Sequence, residues 1–276
     1  MIDTHTHLQF QAFEGIVDQV IKESLEAGIE KMIVVGTNIE TSIKALDLAQ
    51  KYESLYASVG IHPHHIFAYL NNRFHPRGGS LGEDLKQIEK LITDEKVIAV
   101  GEVGMDRQVY GKTKYENYKV TEKFIDLQKK AFAFQIKLAI KYKKTLIIHN
   151  ILAVSKLLEI LDDHLGGGLS LKVVFHCCEP DERLLAFAKE HHIYIGIDGD
   201  ITEYPAKQEF IKKVPLDLLV LETDSPFLAP IGFKFPNTPK NLIEINNFIA
   251  DLLNKDSQEL KKIVTDNSIQ LFFRLT

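Results

Sequence analysis

Cysteine is scarce in this 276-residue chain: there are two, Cys177 and Cys178, and they are adjacent. A trans peptide holds neighbouring Cα atoms about 3.8 Å apart, below the usual span of a disulfide. No bridge between them is expected, both thiols read as reduced packing residues, and a cytoplasmic location is the expectation. Long apolar runs are missing as well. No stretch reaches the roughly 20 residues of a membrane helix, and the N-terminus shows no charged segment followed by the apolar run of a signal peptide, so no membrane partner is expected. Positive charge is not in excess: 33 basic against 38 acidic residues leave a formal net charge of -5, with a pI near 6.1. A coat for nonspecific nucleic-acid binding is thereby excluded. A phosphate substrate is not, because bound divalent cations reverse the sign of the field inside a cleft. Also missing are a glycine-rich dinucleotide loop after the first strand, any low-complexity segment and any linker, which leaves one domain over residues 1–276.

What the chain does have is alternation. Short apolar runs at 1–4, 31–35, 55–59, 97–100, 145–148, 171–175, 193–197 and 218–221 are separated by segments of helical period, the pattern of βα units on a parallel sheet. Helices are expected at 16–27 with Gly28 as C-cap, after Thr37 with Glu40 completing a capping box, at 152–161 and 181–190, and at 241–253 and 257–273 with Asp256 and Glu259 as a second box. A long helix should present Phe124, Leu127, Ala131, Phe134, Leu138 and Tyr142 on one face. The polar stretch 71–82 reads as a flexible insertion and Gly166-Gly167-Gly168 as a turn. Eight units is the number that closes a barrel, and 45% hydrophobic residues suffice for its core. The expected fold is α/β, a (β/α)8 TIM barrel.

In such barrels the chemistry sits at the C-terminal ends of the strands. The residues just past the expected strands are His5 and His7, His62 and His64, Glu102, His149, His176 and Asp224. In an extended backbone, residues i and i+2 share a face, so His5 and His7 can reach one point. Histidines with carboxylates and no thiolate form a nitrogen-and-oxygen donor set suited to zinc, manganese, nickel or magnesium. A carboxylate such as Glu102 can bridge two metals, and Asp224 can serve as a ligand that also takes a proton from an attacking water. This is the donor set of a metal-dependent hydrolase.

The motifs Asp3-Thr4-His5-Thr6-His7, Gly60-Ile61-His62-Pro63-His64, Gly101-Glu102-Val103-Gly104-Met105-Asp106, Ile147-Ile148-His149, His176-Cys177, Glu222-Thr223-Asp224-Ser225-Pro226 and Asn237-Thr238-Pro239 resemble the TatD family of metal-dependent deoxyribonucleases. The resemblance implies a barrel with two divalent metal ions, acting on phosphodiesters at the ends of single-stranded DNA or on damaged DNA. Some relatives hydrolyse the ester of mischarged D-aminoacyl-tRNA. It further implies that His5, His7, Glu102 and Asp224 hold one metal and that Glu102, His149 and His176 hold the other. His62 and His64 would contact substrate phosphate or orient a ligand, and Asp106 would steady a histidine tautomer. DNA is the expected substrate partner; the oligomeric state has no sequence signal.

The chain departs from the family at three places. Ile151 stands where the family carries an arginine, Cys178-Glu179-Pro180 replaces a small hydroxyl and a glycine, and Arg107-Gln108 replaces an aromatic pair. Isoleucine cannot grip a phosphate as a guanidinium does, so Arg107 is the expected substitute. The competing readings are an amidohydrolase-type ester or amide hydrolase and a noncatalytic metal-binding relative. Glu102, where amidohydrolases often carry a modified lysine, favours the nuclease.

Overall fold

A computed structural model describes residues 1–70, 79–165 and 171–273. Eight strands, β1 (Ile2–Thr6), β2 (Lys31–Val35), β3 (Leu55–Val59), β4 (Val97–Asp106), β5 (Thr145–Ile151), β6 (Val173–Phe175), β7 (Tyr194–Ile197) and β8 (Leu219–Leu221), lie side by side in chain order. Every neighbouring pair is parallel. Between and after them run α1 (Val17–Glu26), α2 (Ile39–Lys51), α3 (Leu81–Leu91), α4 (Glu122–Tyr142), α5 (Val154–Leu165), α6 (Glu182–His191), α7 (Pro205–Ile211), α8 (Leu242–Leu252) and α9 (Ser257–Phe272). This is the TIM barrel expected. Most of the expected insertion, residues 71–78, and the glycine turn at 166–168 lie outside the described residues.

Side-chain parity builds the interior. Ile33, Val35, Ala99, Ile147, Val174, Tyr194 and Val220 form one buried cluster with Leu271 and Phe272 of α9. Two residues further along the same faces stand His149, His176 and Glu222, so the strand period carries an apolar floor upward into a polar mouth. The larger cluster packs the outer strand faces against the helices.

The seam between β8 and β1 is closed by polar residues. Thr4 Oγ1 donates to the Leu221 carbonyl at 3.1 Å, and the Asp3 carboxylate accepts from the amide of Thr223 at 3.0 Å and from its hydroxyl at 2.6 Å. Beyond them, the Asp224 amide donates to the His5 carbonyl and the His7 amide to the Ser225 carbonyl.

Several expectations shift. His5 lies inside β1, Glu102 and Asp106 inside β4, and His149 inside β5, because pairing between β4 and β5 continues as far as Asp106 with Ile151. A strand that faces other strands across a barrel mouth has no reason to stop where its side chains turn polar. The cap of α2 is Asn38 rather than Thr37, and its reciprocal partner is Thr41 rather than Glu40. Gly28 follows α1 at φ +92°, as a C-cap glycine should, and the Asp256 carboxylate caps α9 through the amides of Gln258 and Glu259. On α4 Phe124, Ala131 and Leu138 are buried as expected, but Phe134 is 38% exposed, whereas Gln128 and Gln135 are buried. Gln128 bonds the amide and carbonyl of Asp106, and Gln135 those of Ile61, so two polar side chains clamp the backbone under the mouth.

Candidate metal centre

His5 and His7 converge as their spacing predicts, with Nε2 atoms 3.2 Å apart. The Nδ1 of His7 meets the Val35 carbonyl at 2.7 Å. A carbonyl only accepts, so Nδ1 carries the proton and, in the neutral ring, Nε2 points a lone pair inward. His5 is sandwiched with His176 at 3.5 Å between ring centroids, and His7 lies flat on Phe10 at 4.5 Å. Asp224, in a left-handed backbone at φ +48°, brings Oδ1 within 3.2 Å of His7 Nε2 and 3.8 Å of His5 Nε2. That buried oxygen makes no well-formed hydrogen bond among the described residues. The lone pairs of His7 Nε2 and Asp224 Oδ1 therefore face each other, with His5 Nε2 beside them, a conflict that a cation or a proton relieves. Burial pushes His5 down to about 4. It also opposes charge on His7, but Asp224 and Glu102 outweigh it and raise the pKa of that ring.

Glu102 sits in the middle. Its Oε2 is 3.7 Å from His5 and 3.9 Å from His7; its Oε1 is 2.8 Å from His149 Nδ1, 3.4 Å from His62 Nε2 and 3.8 Å from His176 Nε2. Burial would favour its neutral form, but the imidazoles around it hold it well below the usual carboxylate range. His5, His7 and Glu102 form one group spaced for an ion; His5, His176 and Asp224 form a second, and His62, Glu102 and His149 a third. The donor set and the unsatisfied Asp224 oxygen fit divalent cations, with Glu102 shared between two groups. His149 and His176 each face Glu102, yet the third group pairs His149 with His62 rather than with His176.

His62 reads differently from the others. Its Nδ1 accepts the His64 amide at 3.1 Å, which leaves the proton of the neutral ring on Nε2, aimed at Glu102. Burial keeps it neutral by lowering its pKa. His64 lines the cleft but is turned to the β4–α4 loop, with Nε2 at 2.8 Å from Thr113 Oγ1 and Tyr110 and Tyr118 packed around the ring. Asp106 meets His149 Nε2 at 3.3 Å and accepts from the Tyr110 hydroxyl at 2.6 Å. Between Glu102 and Asp106, His149 is held at about 9 even though burial pulls it down.

Glu222 was not among the candidates. It is 1% exposed and receives His176 Nδ1 at 2.8 Å and the Cys177 amide at 2.6 Å. Burial disfavours a charged His176, but Glu222 and then Glu102 raise it to about 10. The contact leaves Nε2 of His176 turned to the centre, the arrangement of a carboxylate behind a metal-binding histidine. The signal was available: Glu222 is two residues before Asp224 and shares the inward parity of Val220. Gly196 makes room for it, since a Cβ there would lie 2.6 Å from either Glu222 oxygen.

Above the centre opens a cleft of about 850 Å³, walled by Phe10, Tyr110, Ile151, Tyr204 and Phe227 together with Glu179, Asp200 and Lys207. Arg107 is not in it. Its guanidinium is 3.7 Å from Glu122 and lines a separate recess beside α5, because the β4 register sends residue 107 away from the barrel axis. The substrate contact expected of Arg107 is therefore not made from this position. In the space near Ile151 stands Glu179, which accepts from Asn150 Nδ2 at 3.3 Å and whose pKa burial raises. Both cysteines are unbridged. Cys178 is buried, as expected of a packing residue, but Cys177 lines the cleft. Burial pushes both thiols up, so neither is a thiolate. No described helix is long and apolar enough to cross a membrane.

Comparison with known proteins agrees with this architecture. The family model described as TatD related DNase matches residues 2–273. An uncharacterized metal-dependent hydrolase of Bacillus subtilis, YabD, is 29% identical over 99% of this chain and 98% of its own length. The deoxyribonuclease Tat-D of Schizosaccharomyces pombe is 27% identical over 92% of this chain and 86% of its own. The crystal structure of YjjV, a TatD homologue from Escherichia coli K12, superposes with a TM-score of 0.83 at 28% identity, covering 100% of this chain and 98% of that one. With matched residues running almost end to end, the chain belongs to the TatD-related DNase family of metal-dependent hydrolases.

Proposed function

We propose that this protein is a phosphodiesterase acting on DNA ends, with two divalent cations held on the barrel floor. The observation that carries the reading is the convergence on Glu102: its two oxygens face different histidine groups, His5 with His7 on one side and His149, His62 and His176 on the other. His5, His7, Glu102 and Asp224 would hold one ion, and Glu102, His149 and His176 the other. When bound, such ions would act as Lewis acids toward the phosphoryl oxygens and would lower the pKa of the attacking water.

The protein's own groups supply the rest. Asp224 has its pKa lowered by His7, His176 and His5 despite its burial, so it stays ionised and accepts the proton of the attacking water. Glu222 keeps His176 in one tautomer, and Asp106 steadies His149. His62 donates Nε2–H toward Glu102 and holds that carboxylate in place. Tyr204 and Phe227 line the cleft and are 54% and 44% exposed, and in the loop after β8 Phe233 and Phe235 are 45% and 70% exposed, with Lys234 between them. Exposed aromatics interleaved with a cation suit unstacked bases of a strand end.

One observation favours a second reading, hydrolysis of a carboxylic ester on a nucleic acid. Glu179 places a carboxylate on the wall near Ile151, which a phosphate at the reacting centre would meet unfavourably and a neutral acyl ester would not. Metal analysis of the purified protein, coupled to hydrolysis of a phosphodiester, a phosphomonoester and an aminoacyl ester, separates the two. Two equivalents of metal with chelator-sensitive phosphodiester cleavage is the expected outcome. Turnover of the aminoacyl ester alone would overturn it.

A further inference from the structure

A second cluster of titratable groups stands on the cleft wall, and the chemistry above makes no use of it. Asp198 directly follows β7, Asp200 lies in the turn after it, and α7 carries Lys207 back against both. Lys207 Nζ donates to Asp200 Oδ2 at 2.6 Å and to Cys177 Sγ at 3.5 Å, and lies 3.8 Å from Asp198 Oδ2. Lysine is seldom buried, because its charge loses water and its chain loses rotamers. Lys207 is nonetheless 7% exposed, while lining the same cleft as Glu102, His176 and Asp224. Cys177, Asp198 and Asp200 are close enough together to hold a metal ion, but the ammonium already stands among them as the cation. Both Asp200 oxygens lie 2.6 Å from the ammonium; of its three N–H groups, the one turned to the thiol sulfur, a weak acceptor at 3.5 Å, is the one a phosphate oxygen would take over. The cations of the adjoining recess are arranged differently. Arg107, Lys156 and Arg183 line the separate recess and lean on Glu122, Glu159 and Asp181.

We propose that Lys207 seats a second, non-reacting anionic group of the substrate, a phosphate one linkage away from the scissile one, with Asp198 and Asp200 holding the ammonium in position. The inference rests on the phosphodiesterase reading above and narrows it to substrates longer than one phosphodiester. It also accounts for a wall that has isoleucine at position 151 and yet buries a cation. A compact ammonium meets a phosphate oxygen as a point charge and needs no paired geometry. Lys207 is a binding residue, acting away from the reacting atoms.

Calorimetric titration of the metal-loaded protein with thymidine 5′-monophosphate and thymidine 3′,5′-bisphosphate tests this without requiring turnover. The bisphosphate offers one phosphate to the floor and the other to Lys207, whichever way a strand runs. A hydrogen-bonded charge contact of this kind corresponds to about 10- to 100-fold in affinity, so the wild-type protein should prefer the bisphosphate by that factor. Lys207→Met should bind both nucleotides alike, and Lys207→Arg should keep most of the preference. A Lys207→Met protein that keeps the preference, or that weakens for both ligands equally with a lowered Tm, overturns the proposal. If that variant fails to fold because two carboxylates lose their counter-charge, Asp200→Asn/Lys207→Met replaces it with the same readout. Wild-type protein that binds neither nucleotide would refute the phosphodiesterase reading itself. Binding of both without preference refutes the role of Lys207 alone.

Discussion

The floor and the wall of the cleft are built by different rules. On the floor, strands and the first residues past them deliver the side chains, and a second atom of several is tied to the barrel: His7 Nδ1 to the Val35 carbonyl, His176 Nδ1 to Glu222, His149 to Asp106. The wall comes from loops and from α7. Its aromatics, Tyr204 and Phe227, are about half exposed, and Arg107 swings out of the cleft altogether. Chemistry that depends on distances of a few tenths of an ångström sits on rigid strands, whereas substrate choice sits where side chains can change without moving a ligand.

Breaking the floor should have the largest effect. Asp224→Asn removes the proton acceptor and should lower kcat about 10²- to 10⁴-fold, with the Tm of the metal-free protein little changed; a variant of normal activity would refute its assigned role. Glu222→Gln leaves every proposed ligand in place but loosens the tautomer of His176. Metal affinity should fall about 10- to 100-fold, measured by competition with a chelating dye, and unaltered affinity would show that Glu222 merely packs.

A change of pH probes the same floor. His149 and His176 are raised from 6.5 to about 9 and about 10. In metal-free protein their contribution to stability is complete below about pH 6.5 and is lost as pH rises through 9 to 10. Metal uptake must displace those protons, so metal affinity should climb across the same window while metal-free stability declines. Equal affinity at both ends of it would contradict the ligand assignment.

The wall should respond more mildly. Phe227→Ala removes one stacking surface, worth about 1–3 kcal/mol per base, and should raise KM for a DNA end with kcat nearly constant. Arg107→Ala should change neither, since its guanidinium leans on Glu122 outside the cleft; a loss of turnover there would restore it as a substrate contact.

The barrel was legible because eight apolar runs at regular spacing leave few other solutions, and β2 and β3 match their expected bounds. The histidines of the floor were legible because each follows an apolar run on the same strand parity. Gln128 and Gln135 were not: on a helix they look like solvent-facing residues, and only the backbone of Asp106 and Ile61 opposite gives them partners. Glu222 was legible as an inward-facing acid from its parity with Val220, but its role was not, since two acids in one motif do not announce which faces a metal site and which stands behind a histidine.

Residue type and period by themselves determined the parallel α/β barrel, the mouth at which polar groups gather, and a donor set for divalent cations, all of which follow from local alternation. Only the tertiary structure decided that Glu102 stands between two histidine groups, that Glu222 backs His176, that Arg107 leaves the cleft and that Lys207 enters it. Those facts depend on register and on the path of loops across the barrel, where contacts join residues far apart in sequence and no local pattern encodes the direction of a side chain.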